Sequence, residues 1–206
     1  MAIVVVGGNS RNVGKTSVVA GLIARLPEFN WTAFKITQHD HGFLTANGIS
    51  DQCQTPDSCV SIAAERDRTG GSDSSRFLAA GATRSLWVRT RIGMLAEAMP
   101  RIRQEIAACE NAIIESNSIL DHLDPDLYLS VIDPSVADFK PSARAHLRRA
   151  DAILWSSRSG AAPLPHEVPG LDLDATPRFA VQPPGYLTEV VVDFVRSRLA
   201  AIPPAP

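Results

Sequence analysis

Val4-Val5-Val6-Gly7-Gly8-Asn9-Ser10-Arg11-Asn12-Val13-Gly14-Lys15-Thr16-Ser17 is the stretch whose reading decides the fold. A β-branched run ends in glycines, and a polar loop follows. Gly14-Lys15-Thr16 then opens a segment in which Val18, Val19, Leu22, Ile23 and Leu26 recur at helical spacing. The order is strand, loop, helix. A phosphate needs such a loop for three reasons. Backbone N–H groups can turn inward at its oxygens, and the helix N-terminus adds partial positive charge. A lysine neutralises the outer phosphates, and a hydroxyl can hold Mg2+. Gly8, Asn9, Ser10, Arg11, Asn12, Val13, Gly14, Lys15, Thr16 and Ser17 are therefore the expected nucleotide-binding residues. The spacing departs from the usual G-x-x-x-x-G-K pattern. Gly8 and Gly14 are separated by five residues, and Asn9 stands where the first glycine would be. A glycine-rich turn with no ligand is the competing reading. Gly-Lys-Thr at a strand-to-helix turn is the context that favours phosphate over it.

The chain has 206 residues, of which 45% are hydrophobic, enough for one domain with a real core. The formal charge of −2 offers no basic excess to hold a nucleic-acid backbone, so nucleic acid is not an expected partner. The first apolar run is too short for a signal peptide or a membrane span. Three cysteines make no disulfide framework. These features predict a cytoplasmic protein with no membrane contact.

Further along the chain, Pro27 stops the first helix, and Trp31 to Ile36 reads as a strand ending at Lys35-Ile36-Thr37-Gln38-His39-Asp40-His41. Ligands of open α/β sheets lie beyond the carboxyl ends of the strands. Lys35 is at such an end, and it reads equally as a solvated strand-end lysine. Phe43 to Gly71 has no sustained period, apart from a short strand at Val60 to Ala64. Such a long loop reads as a lid or as an inert insertion. Asp73, among Ser72, Ser74 and Ser75, fits either a helix cap or a carboxylate presented to a metal. Thr83 to Arg89 is a third strand. Ile92, Leu95, Met99, Ile102, Ile106 and Cys109 mark an amphipathic helix that Pro100 should kink or split. Asn111 to Ser118 contains a buried strand ending in Glu115, where a Mg2+ ligand or water-orienting group is needed. Strands follow at Asp126 to Asp133, Ala152 to Trp155 and Arg178 to Gln182. A short helix at Ala143 to Ala150 carries Arg144, Arg148 and Arg149 as a solvated face, and Leu187 to Leu199 closes the chain. Alternating strands and helices predict an α/β fold. Its mostly parallel sheet would have six or seven strands with helices on both faces, all within one domain, residues 1–206.

These residues resemble the molybdopterin-guanine dinucleotide biosynthesis protein B family, in the P-loop NTPase class that includes dethiobiotin synthetase. Four blocks carry the resemblance: Gly8 to Ser17, Lys35 to Asp40, Ser72 to Arg76 with Ala80-Gly81-Ala82, and Ile113-Ile114-Glu115. The chain departs from the family in having Ser116 where glycine usually follows the glutamate. Its loop is closer to the dethiobiotin synthetase form, and Ser156-Ser157-Arg158-Ser159 stands near the place of the guanine-reading Asn-Lys-x-Asp. By this resemblance Thr16, Asp73 and Glu115 would surround Mg2+, and Lys15 and Lys35 would contact phosphates or substrate. Lys15, Lys35 and Glu115 are then the catalytic candidates.

The expected function is Mg2+-dependent binding and hydrolysis of ATP or GTP in molybdenum cofactor or related cofactor biosynthesis. One alternative is an ATP-dependent small-molecule ligase or kinase like dethiobiotin synthetase. Another is a nucleotide-dependent adaptor for a cofactor-biosynthesis enzyme. The last is a metal-delivery protein using His39, His41, Cys53 and Cys59. The Cys53–Cys59 spacing is outside the common zinc range, so both are expected to be free thiols. A homodimer is the expected assembly.

Overall fold

Val4, Val5 and Val6 have no solvent-exposed surface, which explains why the first strand is apolar at consecutive positions. Strand β1 (Ile3–Gly8) lies between two parallel neighbours, and helices cover both of its faces. The computed structural model describes residues 1–39, 43–45, 48–50, 60–136, 138–156 and 176–202. The other strands are β2 (Trp31–His39), β3 (Phe43–Thr45), β4 (Gly48–Ser50), β5 (Val60–Ala64) and β6 (Arg84–Arg91), followed by β7 (Asn111–Glu115), β8 (Leu127–Ile132), β9 (Ala152–Ser156) and β10 (Arg178–Val181). The helices are α1 (Lys15–Arg25), α2 (Asp73–Ala79), α3 (Leu95–Ala107), α4 (Pro141–His146) and α5 (Glu189–Ala200).

Eight strands form the main sheet in the order β10-β9-β8-β1-β7-β2-β6-β5. All neighbours are parallel except β5 and β6. The sheet is thus larger than the six or seven strands expected, and β5 closes one edge antiparallel. An edge strand pairs on one side only, so a short apolar signal suffices for it. β3 and β4 form a separate antiparallel pair inside the stretch that sequence reads as loop. Apart from these strands and residues 65–71, the expected lid from Phe43 to Gly71 lies outside the described residues, as do Cys53 and Cys59.

The pleat sends alternate residues of each strand into two cores. Val4, Val6 and Ile113 pack with Val18, Leu22, Phe77 and Val195 on one face. Val5, Ile114 and Phe34 pack with Leu95, Met99, Ile102 and Leu147 on the other. Helices on both faces follow from crossovers that return each strand parallel to the last.

Two local expectations change. Helix α3 continues through Pro100 without splitting. Pro100 and Ala96 are both exposed, so water can reach the carbonyl that the proline leaves without a partner. The expected helix at Ala143 to Ala150 is α4 followed by one 3-10 turn, Leu147–Arg149. Its arginines are all exposed, as a solvated face requires, and Arg144 and Arg149 also contact the protein. Arg149 donates to the Leu120 carbonyl (2.6 Å) and pairs with Asp124 (2.6 Å), and Arg144 lies over the Phe139 ring.

Ile113 sits in a central strand and is fully buried. Ile113→Ala should lower unfolding free energy by about 2–5 kcal/mol, from lost burial and a residual cavity. Ile92→Ala, at a 54% exposed position, should stay within about 0.5 kcal/mol of wild type. Urea denaturation of both variants checks the contrast.

Candidate functional site

β1 delivers the loop Asn9–Gly14 to the carboxyl edge of the sheet, and α1 leaves it at Lys15. Gly14 has φ 105°, and a Cβ there would run into the Tyr186 ring. Both facts require glycine at this position. A Cβ on Gly8 would lie 2.7 Å from the Val131 carbonyl oxygen. The amides of Lys15, Thr16 and Ser17 have no partner within the helix. No acidic side chain lies in the first turn of α1 to compete for an anion.

Two side-chain amides hold the loop. Asn117 accepts from the Gly8 N–H (2.8 Å) and donates to the Gly8 carbonyl (2.9 Å). Asn9 donates to the Asp133 carbonyl and accepts from the Asp133 N–H, both at 3.0 Å. Gly8 is thereby tied to the segment after β7, and Asn9 to the end of β8. Sequence reading assigns neither Asn117 nor Tyr186 a role, and Asn9 only a place in the loop. Each acts across more than a hundred residues, so local spacing carries no trace of it. The one available signal for Asn117 is its place just beyond a strand-end glutamate.

Lys15 donates to the Ser10 carbonyl at 2.5 Å. Burial brings its pKa down from 10.5 to about 8, with Glu115 opposing and Lys140 and Lys35 adding to the fall. Lys35 and Glu115 are register partners on β2 and β7. Lys35 Nζ contacts Glu115 Oε1 at 2.5 Å and Asp73 Oδ2 at 2.7 Å. The Thr16 hydroxyl donates to Glu115 Oε2 at 2.8 Å. The structure therefore brings Thr16, Lys35, Asp73 and Glu115 together beside Lys15. The Lys35 and Glu115 side chains are only 14% and 3% exposed, so Lys35 is not a solvated strand end.

Asp73 does not cap α2. Ser72 is the cap: it accepts from the Ser75 N–H, and Ser75 accepts from the Ser72 N–H in return. Asp73, one residue on, is left to reach Lys35. Burial raises the Asp73 pKa, but Lys35 and then Thr16 outweigh it and hold the carboxyl below its ordinary value.

The donor set suits a hard cation. Two carboxylates and a hydroxyl face one point, where the Lys35 ammonium now supplies positive charge. Among the described residues no three His, Cys, Asp or Glu side chains cluster as a metal site. Mg2+ keeps several waters and phosphate oxygens, so a set of this size is compatible with it. His39, from the metal-delivery reading, contacts the Thr37 hydroxyl instead, at 3.1 Å. Asp40, His41 and residues 157–160 lie outside the described residues. No helix among the described residues is long and apolar enough to cross a membrane.

No protein-family model and no curated protein matches the chain. Among solved structures it is similar to LpxK from Aquifex aeolicus in complex with ATP. The identity is 17%, the match covers 87% of this chain and 53% of LpxK, and the TM-score is 0.50. The chain thus spans about half the length of LpxK. HypB from Helicobacter pylori in complex with nickel matches over 98% of this chain and 90% of its own, at 14% identity and a TM-score of 0.45. At 17% identity the likeness to LpxK is one of fold alone, a mostly parallel α/β sheet with helices on both faces.

Lys35→Met would leave the nearly buried Glu115 carboxylate without its main counter-charge. Removing one partner of such a pair costs about 3–5 kcal/mol, so the variant should lose roughly that much stability. Lys35→Met combined with Glu115→Gln should recover part of the loss. Denaturant titration of the single and double variants measures the coupling. Purely additive losses would mean that the pair is not coupled.

Proposed function

We propose that this chain binds a nucleoside triphosphate with Mg2+ at the Gly8–Ser17 loop and hydrolyses it or transfers its terminal phosphoryl group. The observation that carries the reading is the convergence of Thr16, Asp73, Glu115 and Lys35 beside Lys15 at the N-terminus of α1. In this reading the loop amides and Lys15 bind the phosphates. Thr16, Asp73 and Glu115 hold the metal, which would neutralise charge developing between the outer phosphates. Metal held by the two carboxylates would release Lys35 from them and leave its ammonium free for the phosphoryl group or an acceptor. Catalysis then rests on positioning and charge rather than on covalent chemistry by the protein.

The ATP held by LpxK makes ATP the first nucleotide to test, ahead of GTP. A role in molybdenum cofactor or related cofactor biosynthesis rests on the four resembling blocks of sequence alone. The same proposal treats residues 1–206 as one nucleotide-binding domain. It also includes a homodimer and a partner enzyme of that pathway, and light scattering of the purified chain tests the dimer.

Lys15→Ala should abolish binding of both ATP and GTP while leaving the far-UV spectrum unchanged. The Lys15 ammonium bonds only a loop carbonyl, so its loss removes a positive charge for phosphate rather than core packing. Calorimetric titration with Mg2+ present gives the comparison. Affinity for both nucleotides equal to that of wild type would rule out the loop as the phosphate site. Chelating Mg2+ should weaken binding to wild type, and Glu115→Gln should remove most of that Mg2+ dependence.

A further inference from the structure

We propose that Lys140 is a phosphate-binding residue of this site, brought to the loop from the β8 side to grip the polyphosphate of a nucleoside triphosphate opposite Lys35. This rests on the nucleotide reading above and adds a residue from a different part of the fold.

The first support is placement. Asp133, Asp138 and Lys140 are each tied to the loop. Asp133 exchanges two hydrogen bonds with the Asn9 side chain. The Ser10 hydroxyl donates to Asp138 Oδ2 at 3.2 Å. The Lys140 N–H donates to the Asn9 carbonyl at 2.8 Å. Pro141 follows directly and keeps Lys140 extended, with ψ 138°. Lys140 is therefore fixed at its backbone to the same loop residue that β8 anchors.

The second support is charge. Lys140 is half-buried, and among the described residues its ammonium has no ion pair or hydrogen bond. Its field acts on Lys15, where it outweighs that of Lys35. Arg11 and Lys35 in turn act on Lys140, with Asp138 and Glu115 the opposing charges. Burial first, and then Arg11, hold its pKa below the ordinary value. Lys140 and Lys35 thus act on Lys15, and Arg11 on Lys140, so like charges repel one another beside the loop, at a Coulombic cost. A lysine serving only the fold would have an acceptor, and one serving only solubility would be surrounded by water.

The third support is neutralisation. Asp73 and Glu115 would cancel the charge of a bound Mg2+. Lys15 and Lys35 alone would then face a triphosphate whose charge exceeds theirs. Lys140, which follows β8 on the opposite side of β1 from β2, and Arg11 would supply further positive charge.

The test is calorimetric titration of the full chain with ATP and with GTP in the presence of Mg2+, alongside thermal melts without nucleotide. Lys140→Met should weaken the preferred triphosphate about tenfold or more, the loss of one charge-assisted contact. Its nucleotide-free melting temperature should be no lower than that of wild type, because a repelling charge has gone. Lys140→Arg should retain affinity to within about threefold, since the charge is kept. Two results would overturn the proposal while leaving the nucleotide reading intact. One is Lys140→Met binding as tightly as wild type. The other is Lys140→Met losing affinity only together with nucleotide-free stability, which would make Lys140 structural. If folded wild type binds neither triphosphate, the nucleotide reading itself fails, and this inference with it.

Discussion

The contact between Lys35 on β2 and Glu115 on β7 is the interaction on which the rest of the site depends. Burying two charges is costly unless every lone pair and proton finds a partner. Here both Glu115 oxygens are used, one by Lys35 and one by the Thr16 hydroxyl, and Lys35 has Asp73 as a second acceptor. Four elements are committed to one point: β2 and β7 through their register, α1 through Thr16 and α2 through Asp73. Slipping β2 against β7 by one residue would turn Lys35 to the other face. The cluster therefore fixes the register of the sheet as much as the sheet positions the cluster. The Ser72–Ser75 capping box has a part in this. By taking over the cap, it frees the Asp73 carboxylate for the site.

A second constraint acts on the loop itself. Its peptide groups can face an anion only if the loop does not collapse onto its own acceptors. Asn117 and Asn9 prevent that by holding Gly8 and Asn9 from opposite sides of β1, one from beyond β7 and one from the end of β8. Tyr186, on the turn before α5, fills the space over Gly14 that any side chain would need. The loop is thus held at its entry by two amides and at its exit by a ring. Preorganisation of this kind lowers the ordering cost when a ligand binds.

How much of this the sequence reveals depends on whether the determinant is local. The strand, loop and helix from Val4 to Leu26 are legible, because three to four residues of spacing define them. The parallel sheet follows from alternation of such units. Lys15 and Thr16 are legible for the same reason. Lys35, Asp73 and Glu115 stand out only as polar residues at strand or helix ends, with a bland reading open for each. For Lys35 and Glu115 the deciding fact is register between β2 and β7, which no window of sequence contains, and for Asp73 it is that Ser72 takes the cap. Asn117, Tyr186 and Lys140 are less legible still, since each acts on the loop from more than a hundred residues away. β5 is legible as the short strand Val60 to Ala64, but its antiparallel pairing at the sheet edge is not. α3 is longer than the proline rule implies because Pro100 faces water.

The electrostatics of the free site then follow from its geometry. Lys15 is held at about 8 against an ordinary 10.5, mainly by burial. A base whose folded pKa is depressed is disfavoured in its charged form by folding. Between about 8 and 10.5 the unfolded chain holds the proton that the folded chain has released, so this group adds stability as pH rises through that window. Below it, both states are protonated, and the folded state carries the whole cost of the buried ammonium. Lys140, depressed in the same direction, adds to that cost. A phosphate chain placed among these groups reverses the balance, because every cation that repels its neighbours then attracts the ligand. The charges that repel one another at neutral pH are the same charges that would hold a polyanion in the loop. If the proposed triphosphate binds here, Lys140 and Arg11 would add charge that Lys15 and Lys35 alone do not supply.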